Sequence, residues 1–467
     1  MTDIALASAK LPPDAPADWL KDGIAPLLSM SWRDYEDAQL GAVKMRFEQL
    51  KEGVSALEKL AKRQSATIID SVTDALPLFF DHRVYKSYPL AIIEKRDLAK
   101  LTSWLDRLTT HDLSKMSLEG LTTIDGWLDR LDEFGMLVGH STGTTGKLSF
   151  LPRSQSEFAG WERAYNGAQQ ATTGVDPHKE FVPTFFPGYR GGHHMMLKML
   201  SLFGVPAAGG PEHYHTLYQG HISSDLSSLA GRMQSAEDRG ELAQLGLDPA
   251  LLEAREALIQ QGRRREADMD AWFTKLMEEY RGKRVKIGGT AGDLIRTART
   301  GIARGLKPSF APNSFISTGG GLKGLKDPPE DWEAFVIDYF GVERIAAIYG
   351  MSEIMGTCPK CSHGHYHIPP YTLAVLLDAD NKELPKQGSQ TGRFAAFDLL
   401  AESYWGGFIS GDRVTIHWEE DCPCGWKGPR VDPEIARFSE LEGGDDKISC
   451  SGSVQAYNEF MDYVSQV

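Results

Sequence analysis

At 467 residues, with 41% apolar and 24% charged side chains, the chain has room for two to three domains and an ordinary globular composition. A formal net charge of −14 excludes general binding to nucleic acid or to an anionic membrane surface, though not a local cationic pocket for a nucleotide. No run approaches the roughly 18 uninterrupted apolar residues of a membrane span, and the first residues lack a basic start and apolar core, so a cytoplasmic protein that does not engage membranes is expected.

Residues 1–132 read mainly as helix, with apolar residues recurring at three and four in Trp32–Arg63 and Arg96–Leu108. The stretch FFDHRVYKSYPL, Phe79–Leu90, interrupts them as a crossing loop or short strand; its Lys86 reads more readily as solvated than as a ligand contact. Next, Gly135–Gly139 is a short apolar strand that runs straight into HSTGTTGK, His140–Lys147. Gly143 and Gly146 permit close backbone approach, Ser141, Thr142, Thr144 and Thr145 add hydroxyl donors, and Lys147 adds a point charge, a set suited to phosphate. The spacing is not that of a Walker loop, and a polar hairpin turn is the plainer alternative.

Beyond this loop, short apolar runs (Glu180–Phe186, Val285–Gly288, Ser314–Thr318, Arg344–Tyr349, Thr372–Leu377) alternate with helical stretches at His194–Phe203, Leu251–Tyr280 and Pro329–Phe340. That alternation predicts an α/β fold with helices packed on a sheet. The charged Gln234–Arg281 region reads as an outer insertion, and from Arg393 the pattern turns β-rich, predicting a small barrel or distorted sheet. FISTGGGLKG, Phe315–Gly324, is a strand ending in Gly319, Gly320 and Gly321, as a backbone lying against a flat base requires. Tyr349-Gly350-Met351-Ser352-Glu353 puts a stacking aromatic, a hydroxyl and a carboxylate able to hold magnesium on one loop, and Gly411-Asp412 offers a carboxylate to ribose hydroxyls.

Four of the five cysteines form two close pairs, Cys358/Cys361 and Cys422/Cys424. In a reducing compartment such pairs predict a structural zinc site, with His363, His365 or His367 able to replace one thiolate. Cys450 reads as a buried residue rather than an acyl-carrying thiol.

Taken in order, STGTTGK, YGMSE, GDRV and GGDDKISCSG resemble the phosphate loop, the tyrosine-glycine-x-Ser/Thr-Glu motif, the ribose aspartate and the hinge of the adenylate-forming superfamily, over roughly Lys86–Gly452. Within it the chain looks most like the phenylacetate-CoA ligase branch, and next like the acyl-protein synthetases that feed fatty-acid reductases. The resemblance implies a large N-terminal domain with sheets flanked by helices and a small β-rich subdomain. The expected divisions are 1–132 helical, 133–392 nucleotide- and acid-binding core, 393–447 β-rich with ribose site and hinge, and 448–467 a short tail with no lid domain. It also implies ATP-dependent activation of a carboxylic acid as acyl-adenylate, releasing pyrophosphate, and transfer to a thiol, CoA being the first choice. The alternatives are an acyl-protein synthetase and a non-catalytic nucleotide-fold subunit of a complex.

By the same resemblance, Ser141–Lys147 hold the triphosphate and Glu353 the magnesium. Gly319–Gly321, Tyr349, Gly350 and Ser352 enclose the adenine end, Asp412 binds ribose, and His193 or His194 faces the acid. The walls of the acid pocket are expected from Phe181–Met196 and Ile316–Tyr349. The family's hinge arginine is absent, Gly443 standing two positions before Asp445-Asp446, so Arg437, Arg430 or Lys447 is expected to supply its charge. Expected partners are a small carboxylic acid, ATP/AMP, CoA, and a subunit supplying the lid or the acyl acceptor; a homodimer is compatible.

Overall fold

The computed structural model describes residues 11–142, 147–238, 240, 263–264, 266–320, 322, 325, 327–419 and 421–440. The tip of the glycine-hydroxyl loop (143–146), Gly321, the hinge segment with Cys450 and the tail 448–467 lie outside them.

The first part is helical where apolar spacing demands it. Helix Ser55–Arg63 buries Ala56, Leu57, Leu60 and Ala61, and helix Ile124–Glu133 buries Ile124, Trp127, Leu128 and Leu131. Trp32–Arg63 is two helices, Trp32–Leu50 and Ser55–Arg63, and Asp34 starts the first by accepting the Ser31 N–H at 2.8 Å. Strand β1 (Phe80–Asp81) leaves this region to pair in a sheet far along the chain. Strands β2 (Gly139–Thr142) and β3 (Leu148–Leu151) form an antiparallel pair flanking the glycine-hydroxyl loop.

The α/β part is a six-stranded sheet. Its strands are β4 (Thr184–Gly192), β5 (Tyr214–Ile222), β6 (Lys286–Gly289), β7 (Phe315–Gly319), β8 (Ile345–Tyr349) and β9 (Cys358–Pro359). In space they run β5-β4-β6-β7-β8-β9, parallel except for β9. From β4 the chain goes outward to β5 and then returns on the other side of β4 as β6. The carboxyl ends of β4 and β6 therefore flank a topological switch point, where open α/β sheets bind ligands.

The second sheet has seven strands. They are β1, β10 (Tyr366–His367), β11 (Thr372–Leu377), β12 (Ser389–Asp398), β13 (Gly407–His417), β14 (Arg430–Val431) and β15 (Ala436–Arg437). β13 organises it, pairing with β12, β14, β15 and β1. Thr372–Leu377, expected among the alternating strands, belongs here instead, antiparallel to β12. The short link between them holds no helix, and a parallel crossover needs one. β5, an aromatic-rich run that sequence reading passed over, completes the edge of the first sheet.

One core unites the helical part with this second sheet. Trp405 packs edge-on against Phe47 and Phe397, and its indole N–H donates to the Leu78 carbonyl at 2.8 Å. Buried Glu157 takes the Ser154, Glu402 and Ser403 N–H groups at 2.7 Å each and the Ser403 hydroxyl at 3.0 Å. No helix among the described residues is long and apolar enough to cross a membrane. Glu157→Ala orphans those donors in the core, so unfolding should become easier by about 3 kcal/mol, read as an earlier midpoint in chemical denaturation.

Candidate functional site

The two sheets meet where β8 ends. The Tyr349 hydroxyl donates to Asp412 Oδ2 at 3.0 Å, and Asp412 Oδ1 lies 3.2 Å from Arg437 Nε. Asp412 on β13 is the direct cross-strand partner of Arg437 on β15, so register alone brings carboxylate and guanidinium together. Burial, then the neighbouring Asp412 carboxylate, pushes the Tyr349 phenol well above its usual range, fixing it as a donor. Beside it β7 ends at Gly319, where a Cβ would come within 3.1 Å of Ile348, and Gly320 takes φ +72°. Only a side-chain-free backbone sits there without strain.

Glu353 follows on the turn after β8. Burial raises its carboxyl, Arg437 and Arg153 pull it down, and Asp412 pushes it up. The turn is tied on both sides: Arg153 donates to the Ser352 carbonyl at 2.7 Å, and buried Asp398 accepts the Met355 N–H at 2.6 Å. Sequence reasoning missed Arg153 and Asp398, since neither carries a local signal.

Of the phosphate-loop residues, Ser141 and Thr142 end β2, Lys147 precedes β3, and Gly143, Thr144, Thr145 and Gly146 lie outside the described residues. Lys147 is half-buried with its ammonium 5.1 Å from the Tyr88 ring centroid; burial, then repulsion from Lys86, lowers it to about 8. Lys86 thus stands beside the loop rather than apart from it.

The two histidines separate. His193 Nε2 is 3.0 Å from Asp129 Oδ1, with Asp132 at 4.0 Å. His194 faces a cavity of about 620 Å³ lined also by Phe186, Tyr189, Met196, Tyr218 and Trp272. Its ring stands edge-on to His140 at 5.8 Å, and His140 on β2 donates its backbone N–H to the His193 carbonyl at 2.9 Å. The cavity is lined by β4, β5 and the helices through Met196, Trp272 and Arg296, and His194 at its wall adjoins the strand that leads into the glycine-hydroxyl loop. Of the two stretches expected to wall an acid pocket, Phe181–Met196 contributes Phe186, Tyr189, His194 and Met196 to this cavity, and its other lining residues lie on β5 and on the helices through Trp272 and Arg296.

The cysteines require one correction. Cys361, Cys422, Cys424 and His367 present ligand atoms all within 4.8 Å of one another, with Cys361 Sγ 3.8 Å from Cys422 Sγ and Cys424 Sγ 3.5 Å from His367 Nε2. Tetrahedral zinc–thiolate bonds of about 2.3 Å space their sulfurs about 3.8 Å apart, so this donor set fits zinc. Cys358 is not part of it. It lies on β9 opposite Tyr349, buried in the apolar core, where burial pushes its thiol up to about 12.

No protein-family model and no curated protein sequence matches the chain. Solved structures do match, at the level of the fold. An open conformation of 2-hydroxyisobutyryl-CoA ligase in complex with 2-HIB-AMP and CoA is similar over 89% of this chain and 78% of that one, at 12% identity and TM-score 0.52. The same ligase in the thioesterification state is similar over 88% of this chain and 70% of that one, at 14% identity and TM-score 0.51.

Lys147 gives a direct chemical check. Lowered to about 8, it carries far more free amine at pH 8 than an ordinary lysine of pKa about 10.4, and with the lower intrinsic nucleophilicity of the weaker base an amine-selective acylating reagent should label it roughly ten-fold faster, as read by peptide mapping.

Proposed function

We propose that the chain activates a carboxylic acid with ATP as an acyl-adenylate and passes the acyl group to a thiol, CoA in the first instance. The observation that carries this is the convergence of the Tyr349–Asp412–Arg437 cluster and Glu353 at the end of β8, with the β2–β3 pair joined through His140 to the His194 cavity. Four segments far apart in sequence supply one nucleotide end and one apolar end, as a reaction joining ATP to an acid requires. The likeness in fold to a ligase crystallised with an acyl-adenylate and CoA supports the same reading.

In this reading the backbone and hydroxyls of Ser141–Gly146, with Lys147, take the triphosphate; Tyr349 and the Gly319–Gly321 strand end bracket adenine; Gly350 and Ser352 line that end. Asp412, oriented by Tyr349 and Arg437, accepts the ribose hydroxyls, and Arg437 supplies the charge of the missing hinge arginine. Glu353 would hold magnesium, which when bound neutralises charge on the phosphates. The acid's apolar body fills the cavity of about 620 Å³, a volume suited to a bulky rather than a two- or three-carbon acid. Burial keeps His194 neutral, so it can orient the carboxylate by one N–H while leaving it anionic and nucleophilic. The carboxylate oxygen attacks the α-phosphorus, pyrophosphate leaves, and the thiol then displaces AMP. Positioning and electrostatics carry the first step. The Cys361/His367/Cys422/Cys424 set would hold a structural zinc that pins the segment after Glu353 to the segment after Asp412.

The test is pyrophosphate release from MgATP with a panel of aryl and long-chain acids, with and without CoA. Release should depend on a bulky acid and on CoA and fall at least a hundred-fold in Glu353→Gln. Release indifferent to CoA points to a protein acceptor on a reductase partner; no release and no ATP binding by calorimetry returns the chain to a scaffold role. Metal analysis of the purified protein should find zinc near one per chain, lost in Cys422→Ser and retained in Cys358→Ser.

A further inference from the structure

Arg153 lies two residues beyond β3 and is 1% exposed, yet no carboxylate among the described residues forms an ion pair with it. Its guanidinium lies 4.3 Å from the Trp161 ring centroid; one terminal nitrogen donates to the Ser352 carbonyl at 2.7 Å and the other to the Met195 thioether at 3.0 Å. Its Nε has no acceptor among the described residues. A thioether is a weak acceptor, and the carboxyls of Asp398 and Glu353, which the guanidinium lowers, lie within its field without bonding to it.

What the arrangement does supply is alignment. Ser352 precedes Glu353, Met195 follows His194, and Arg153 itself is anchored to the strand that leaves Lys147. One rigid planar group thus touches the turn bearing the magnesium carboxylate, the start of the helix behind the acid-facing histidine, and the hairpin of the phosphate loop. We infer that Arg153 is a positioning residue for adenylation, holding these three pieces in register; the inference rests on the function proposed above.

Positioning and structure are separated by reading kcat and the magnesium requirement apart from the melting temperature. Arg153→Met takes a cation out of the field of buried Asp398 and Glu353, so the ligand-free protein should melt a few degrees lower yet stay folded at assay temperature. Its kcat for acid-dependent pyrophosphate release should nonetheless fall at least roughly ten-fold with KM for ATP within about three-fold, since misplaced reacting groups slow the step more than they weaken binding. The magnesium concentration giving half of the MgATP-induced rise in melting temperature should increase several-fold. Arg153→Lys, which keeps the charge and one donor, should recover most of the rate. Met195→Leu, a swap of similar volume that removes the thioether acceptor and leaves Arg153 in place, should lower kcat a few-fold.

A lower melting temperature with unchanged kcat and magnesium requirement in Arg153→Met, a lysine variant no better than methionine, or full activity in Met195→Leu would overturn the inference. If the wild type releases pyrophosphate and Glu353→Gln does not, such a result refutes Arg153 alone. If the wild type neither releases pyrophosphate nor is stabilised by MgATP, the adenylation reading falls and takes this one with it.

Discussion

The hydrogen bond from Tyr349 to Asp412 is where two independently built sheets become one protein surface. Tyr349 ends a strand of the parallel sheet, hydrogen-bonded to β7 and β9; Asp412 sits on β13, with which four other strands pair. A charge-assisted bond in a largely buried setting is strong, but it also leaves a carboxylate with unmet capacity. Arg437, brought opposite by register, meets part of it and remains partly open to solvent. The result is an oriented acceptor beside a fixed aromatic face, both defined by backbone pairings rather than by loops.

This seam explains why the motifs were legible while their partners were not. A glycine-hydroxyl loop, a Tyr-Gly-x-Ser-Glu turn and a Gly-Asp pair each carry their chemistry within eight residues or fewer, so linear sequence displays them. The α/β alternation was equally visible, because Val285–Gly288, Ser314–Thr318 and Arg344–Tyr349 each fall within a residue or so of a real strand. Thr372–Leu377 looked the same in sequence and went to the other sheet. Six consecutive buried residues say that a strand is covered on both faces and nothing about its neighbour.

The metal-ligand set shows the same limit from the other side. Spacing identified two cysteine pairs, but Cys358 lies on β9, whereas Cys361 opens the turn that follows, its N–H donating to the His365 carbonyl at 2.8 Å. Leading into that turn, Cys358 is committed to β9 and to the core under Tyr349, while Cys361 turns toward the Cys422 pair. His367 on β10 then completes the set through the pairing of β10 with β14. Counting thiols locates such a site; only strand pairing decides which fourth ligand reaches it.

Buried charges in this molecule divide by how they are met. Glu157 and Asp398 are as deeply buried as any acid here, and each is surrounded by backbone N–H groups that belong to the loops it fixes. Their desolvation is repaid by donors that would otherwise be orphaned, so stability alone accounts for them. Arg153 lies close enough to Asp398 and Glu353 to lower both carboxyls, yet bonds to neither. Instead it spends its donors on a carbonyl and a sulfur that belong to two different site segments. Under the proposed function, a side chain that bridges those two segments instead of pairing with a carboxylate serves their alignment. It is the clearest place where the demands of folding and of the site diverge.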